Sequence, residues 1–254
     1  MYVEHPVFQK PYDENTKIWR YMDFTKLVDI LERESIFFTR SDKFEDPFEG
    51  VLTKRTLEER NEQLNFAWKH VDKDLREKLI NHVSFADAKM KECTVINCWH
   101  MNKYESDAMW KLYLKSNEGI AIQSTFQKLC NSFSSEEREV YIGMVAYIDY
   151  VSDTIPIKNS FHPFLHKRRS FEHERELRAV IAEFPTKGDA IDYSAHPFEF
   201  GDYVPVDLST LIESVYVAPT APKWIVELVE RVLKKYGLED KPVIQSSLLD
   251  KPTF

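Results

Sequence analysis

Between residues 170 and 182 the side chains alternate. Leu177, Ala179 and Ile181 fall on one side, and Glu174, Glu176, Arg178 and Val180 fall on the other. A period of two predicts a β-strand with one core-facing side. The adjacent Val180 and Ile181, with Pro185 soon after, disfavour a helix. Two carboxylates and a guanidinium therefore project together, just after the basic run His166-Lys167-Arg168-Arg169. That placement predicts the edge of a cleft.

The same reading gives strands at 18–21, 35–39, 94–99, 120–124, 141–150, 203–206, 212–217 and 243–245. Leu27, Ile30 and Leu31 make an apolar stripe on a helix over 24–33. Further helices are predicted at 107–114 and at 223–236, the latter ended by Gly237. Residues 41–50 form an acidic turn bounded by Pro47 and Gly50. From 53 to 91 the chain is helical and highly charged, which predicts a helical insertion (54–92) within a single domain spanning 1–254. Its charge run reads as a solvated face. Strands outnumber helices and most links are short, so the expected class is α+β with largely antiparallel sheets.

Composition narrows the function. There are only six glycines, no two of them clustered, so neither a dinucleotide fingerprint nor a P-loop can form. A net charge of −8 argues against a surface that grips nucleic acid all over. Three cysteines make no disulfide framework and fit a reducing compartment. The first residues lack the pattern of a signal peptide, and no window approaches the ~20 apolar residues of a membrane span. A cytoplasmic chain with no membrane partner is expected.

Candidate chemistry is sparse. Cys93 and Cys98 with His162 and His166 superficially fit zinc, but the spacing is wrong for a finger and Pro163 interrupts any helix carrying both histidines. No metal is expected. Glu45, Asp46 and Glu49 with Glu174 and Glu176 could hold Mg²⁺ in a nuclease, although Asp46-Pro47 is also an ordinary turn opener. Arg20 could pair with Glu174 or Glu176 inside the sheet, and Trp99, Trp110 and Tyr113 could be core residues or a ligand platform.

Five segments, taken together, resemble a bacterial domain-of-unknown-function family. They are Trp19-Arg20-Tyr21, Phe44-Glu45-Asp46-Pro47-Phe48-Glu49, Cys98-Trp99, Met109-Trp110-Lys111-Leu112-Tyr113, and Phe171-Glu172-His173-Glu174-Arg175-Glu176-Leu177-Arg178. The match runs from about residue 18 to 249. Their order is also similar to that of ADP-ribosyltransferases, with an arginine on the first strand, an aromatic-bearing helix and a late Glu-x-Glu strand. Thr39-Arg40-Ser41 stands only partly for that family's middle Ser-Thr-Ser element.

The second resemblance implies a two-sheet ADP-ribosyltransferase-like core and NAD⁺ as substrate. It implies cleavage of the nicotinamide–ribose bond, with ADP-ribose passing to a protein or nucleic-acid acceptor, and a role in bacterial defence. It places Glu176 against the developing oxocarbenium ion and Glu174 beside the acceptor. Arg20 would hold pyrophosphate or adenosine ribose, Tyr21, Trp110 or Tyr113 would stack on a base, and Ser41 and Arg178 would complete the cofactor contacts. Two other readings stand beside it. One is a non-catalytic module binding a nucleotide or partner, with the basic run 166–169 gripping phosphate; the other is the metal-dependent nuclease.

Overall fold

The computed structural model describes residues 1–113, 117–188, 190–192 and 194–252. The first half of the chain contains β1 (Lys17–Asp23), α1 (Phe24–Arg33), β2 (Ser35–Arg40), α2 (Lys54–Ala67), α3 (Lys73–Glu92), β3 (Thr94–Met101), α4 (Asp107–Tyr113), β4 (Gly119–Thr125) and α5 (Phe126–Ser132). Next come β5 (Tyr141–Met144), β6 (Ala146–Ile148), β7 (His166–Arg168), β8 (Glu176–Ala182), β9 (Thr186–Lys187) and β10 (Ala190–Ile191). The chain closes with β11 (Gly201–Pro205), α6 (Leu208–Leu211), β12 (Ser214–Val217), α7 (Lys223–Lys235) and β13 (Val243–Gln245). The class is α+β. A nine-stranded, mostly antiparallel sheet dominates, and two two-stranded ribbons, β9–β10 and β6–β7, lie apart from it.

The helix starting at Phe24 shows why the pattern works. Its stripe of Leu27, Ile30 and Leu31 is buried against the sheet, and each such side chain contributes about 1.5–3 kcal/mol of burial. Glu34 in the left-handed region stops the helix and sends the chain straight into β2. On the far side, Gly201 (φ 155) fits where β11 meets β2, since a Cβ there would lie 2.1 Å from the Phe38 carbonyl oxygen.

The sheet contains a fork. β8 pairs along β3 from Thr94 to His100. On the opposite edge of β3, β2 pairs only at Val95 and Ile96, and β1 only at His100 and Met101. Residues 97–99 belong to neither ladder on that edge. Side chains staple the gap: the Asn97 amide donates to the Phe37 carbonyl (2.8 Å), and Trp99 Nε1 donates to Asn97 Oδ1 (2.8 Å). These bonds satisfy polar groups that would otherwise be costly to bury.

Several elements depart from the sequence reading. The strand expected over 141–150 breaks at Val145, whose N–H donates to the Glu176 carbonyl (3.0 Å), leaving β5 on the main sheet and β6 on a ribbon. The short elements α5, α6, β7, β9 and β10 have too few residues to set a period. Leu114, expected in the fourth helix, lies outside the described residues. The charged segment after Thr53 forms two helices. Thr53 caps the first, Asp72 caps the second, and α3 buries none of its residues fully.

Candidate active site at the fork of the sheet

The fork opens a hollow of about 330 Å³ between β1, β3 and the turn before β8. Arg20, near the middle of β1, lines it. Its Nη1 donates to the Cys98 carbonyl (2.9 Å), one of the groups left without a strand partner. No carboxylate among the described residues pairs with Arg20. Burial lowers its pKa from the ordinary arginine value, but arginine remains a cation in proteins. The result is a half-buried positive charge with donors to spare.

Across the hollow sits the opposite arrangement. Glu176 is buried and accepts from Lys167 Nζ (2.6 Å) and from Arg178 Nε (2.5 Å). Lys167 also donates to Glu174 (2.6 Å), while Arg178 forks onto both oxygens of buried Glu49 and donates to the Phe164 carbonyl (2.7 Å). Desolvation opposes ionisation of Glu176, but Arg178, Glu174 and Lys167 outweigh it and hold its pKa well below the usual carboxylate range. Glu174 moves the other way. Burial, then its hydrogen bond and charge contact with Glu176, push it up to about 7. Two neighbouring carboxylates with separated pKa values are the arrangement in which one stays anionic and the other exchanges a proton.

The backbone differs from the strand expected here. Glu174 ends a 3-10 turn, and Arg175 at φ 41 is left-handed, so β8 begins only at Glu176. Glu174 therefore does not share a strand face with Glu176. Both reach the hollow because the turn folds Glu174 back over Lys167.

Histidine 100 belongs to the site and had no pattern to reveal it. It is 4% exposed and lines the hollow. Its Nδ1 lies 2.6 Å from the Glu174 carbonyl, which can only accept, so Nδ1 carries the hydrogen. Burial lowers its pKa, so the ring is neutral and Nε2 is an acceptor. That Nε2 is buried without a partner. Aromatic walls complete the hollow: Tyr21, Tyr113, Phe37, Phe44 and Tyr203.

Of the eight residues expected to bind or react with NAD⁺, Arg20, Tyr21, Tyr113, Glu174 and Glu176 line this one hollow. Three others do not. Ser41 is buried and donates to the Lys91 carbonyl (2.9 Å). Trp110 packs edge-on behind Tyr21 (4.9 Å between rings) and donates to Glu105. Arg178 is wholly buried in the ion network. Most of the basic run is held internally: Lys167 by the glutamates, Arg168 by Asp46 (2.8 Å), and His166 Nδ1 by the His162 carbonyl (2.6 Å), while Arg169, at 3.6 Å from Asp153, stays exposed. Asp46 Oδ1 also accepts from the Phe48 N–H (3.0 Å), as a turn opener should. No group of three or more possible metal ligands is gathered among the described residues, and none of their helices is long and apolar enough to cross a membrane.

No family model matches the chain, and no curated protein matches it by sequence. Among solved structures it is similar to DarT of Thermus sp. 2.9 in complex with NAD⁺, at 10% identity and a TM-score of 0.41 over 93% of this chain and 98% of that one. The same DarT in complex with ADP-ribosylated ssDNA gives 10% identity and a TM-score of 0.41, over 93% and 96%. With carba-NAD⁺ the values are 10% and 0.40, over 92% and 96%.

Proposed function

We propose that the fork hollow binds NAD⁺, cleaves its nicotinamide–ribose bond and passes ADP-ribose to an acceptor. The observation that carries this reading is one hollow lined by two unlike groups: Arg20, a cation with no carboxylate partner among the described residues, and a carboxylate pair held by Lys167 and Arg178. An uncompensated guanidinium is suited to a phosphate oxygen. It can do so without the glycine-rich loop this chain lacks. The hollow's 330 Å³ suits the nicotinamide-ribose-phosphate end of the molecule, with the adenosine end at its mouth.

In this scheme the bond from ribose C1′ to the pyridinium nitrogen breaks, and its electron pair neutralises nicotinamide. Permanently anionic Glu176 faces the oxocarbenium ion that remains, an interaction stronger in the transition state than in the ground state. The acceptor's oxygen or nitrogen forms the new bond to C1′, and Glu174, with a pKa of about 7, takes its proton. His100 Nε2 accepts from a ribose hydroxyl, and Tyr113 or Tyr21 covers the nicotinamide ring.

The test is NAD⁺ binding by calorimetry and nicotinamide release by chromatography, on wild type and on Arg20→Ala. Wild type is expected to release nicotinamide. The variant should lose affinity about a hundredfold, the scale of a charge-assisted bidentate contact, while staying folded, at a cost of about 1 kcal/mol for the bond to the Cys98 carbonyl. Wild type that neither binds nor consumes NAD⁺ overturns the proposal. Binding without turnover would favour the nucleotide-binding module instead.

A further inference from the structure

A second hollow, of about 590 Å³, lies between α2, α3 and the segment 156–164, and no residue lines both it and the fork. It falls within the size range of small-molecule sites. Its walls are unusual for a helix pair. Leu57 and Leu64 of α2, with Val83 of α3, face it half-buried rather than packed into a core, and Met90 reaches from it to the cluster around Phe164. The residues that α2 does bury are polar, Thr56 and Arg60, and α3 buries none.

Arg60 decides the chemistry. It is 8% exposed and lines the hollow. Its Nη1 donates to Asp87 (2.6 Å), but its Nε is buried with no partner among the described residues. Buried donors are almost always satisfied, so a bare one beside an open apolar hollow points to an acceptor supplied from outside the chain. Lys91 also lines the hollow, so against the single charge of Asp87 the walls carry a net positive charge. The floor is firm. Phe164 fills it, Gly50 (φ 65) turns against that ring so closely that a Cβ would sit 2.7 Å away, and the Phe164 carbonyl is held by Arg178.

We propose that this hollow is a second binding site, taking a small molecule with an apolar ring body and one anionic oxygen that accepts from Arg60 Nε. It stands independently of the reaction assigned to the fork, because no residue lines both hollows.

The test uses two fluorescent probes on the folded, full-length chain. 8-Anilinonaphthalene-1-sulfonate has the ring body and one anionic group, whereas N-phenyl-1-naphthylamine has the ring body alone. Both are expected to bind saturably at one site. Arg60→Met should weaken the sulfonate about tenfold and the neutral probe less than twofold. Leu64→Trp and Ser84→Trp, which put bulk into the hollow without touching the ion pair, should weaken both probes, and they keep the test informative if Arg60→Met does not fold. Tyr113→Ala in the fork should change neither. Three results overturn the proposal: no saturable binding by wild type, binding indifferent to both tryptophans, or equal loss of the two probes in Arg60→Met. A concentration-dependent dimer that shuts out both probes would also overturn it, by making the surface an interface between copies.

Discussion

Two arginines on strands of one sheet meet opposite fates. Arg178 is 0% exposed, and Glu49, Glu176 and the Phe164 carbonyl take its donors. Arg20 sits two strands away with a single carbonyl from Cys98. The first is the centre of a network that must be complete to be tolerated, because an unpaired buried charge is far more costly than no charge at all. The second is left incomplete where the sheet divides. The difference separates a residue the fold needs from one a ligand can use, even though each is an arginine on a strand.

The contrast can be broken experimentally, and the largest effect is expected at its rigid pole. Arg178→Met strands Glu49 in the interior, leaves Glu176 with Lys167 alone, and should cost about 3–5 kcal/mol, enough to unfold a typical domain. Chemical denaturation would read this directly, and a cost under about 1 kcal/mol would mean that the network is dispensable. Arg20→Ala should do the reverse, with the hundredfold loss of NAD⁺ affinity and only about 1 kcal/mol of stability lost with the bond to the Cys98 carbonyl.

Glu176→Gln lies between the poles. Because Glu176 bridges Lys167 and Arg178, its removal should abolish nicotinamide release and also lower stability by on the order of 2 kcal/mol. A variant inactive but fully stable would place Glu176 outside the ion network.

Next comes pH. The folded pKa of Glu174, about 7, exceeds its ordinary 4.5, so the folded state holds this proton more tightly. That stabilisation is fully present below pH 4.5 and is lost as pH rises through 7. Stability should fall by about 1–3 kcal/mol across this window, and Glu174→Gln should flatten the profile. The depressed Glu176 acts with opposite sign at lower pH, since its contribution is lost as pH falls below the ordinary carboxylate range. Denaturation curves at pH 5, 6, 7 and 8 isolate the Glu174 effect. The smallest change is expected for Ser41→Ala, which gives up one buried hydrogen bond and about 1 kcal/mol while leaving NAD⁺ affinity and turnover untouched.

Much of the fold was legible where a period had room to repeat. The helices at 24–33 and 223–235 and the strands at 35–40, 94–101 and 243–245 stand close to their expected places. Short elements such as α6 and β7 were not, because three or four residues carry no period. The site was legible in part. Arg20, Tyr21, Tyr113, Glu174 and Glu176 share a hollow, yet Lys167 reads in the sequence only as one member of a basic run beside the cleft, and His100 lies just past the strand expected at 94–99. What makes each of them matter is its neighbour: the glutamates for Lys167, the Glu174 carbonyl for His100.

Alternation and helical spacing by themselves determined an α+β chain, the apolar side of each long element and the absence of any glycine-rich phosphate loop, because these are properties of residues near one another in the chain. Only the tertiary structure decided that β1 and β2 diverge along β3, that Arg20 meets no carboxylate among the described residues, and that Glu174 and Glu176 titrate apart. Those outcomes depend on desolvation and on charges brought together from distant segments, and neither acts on a residue until the chain has folded around it.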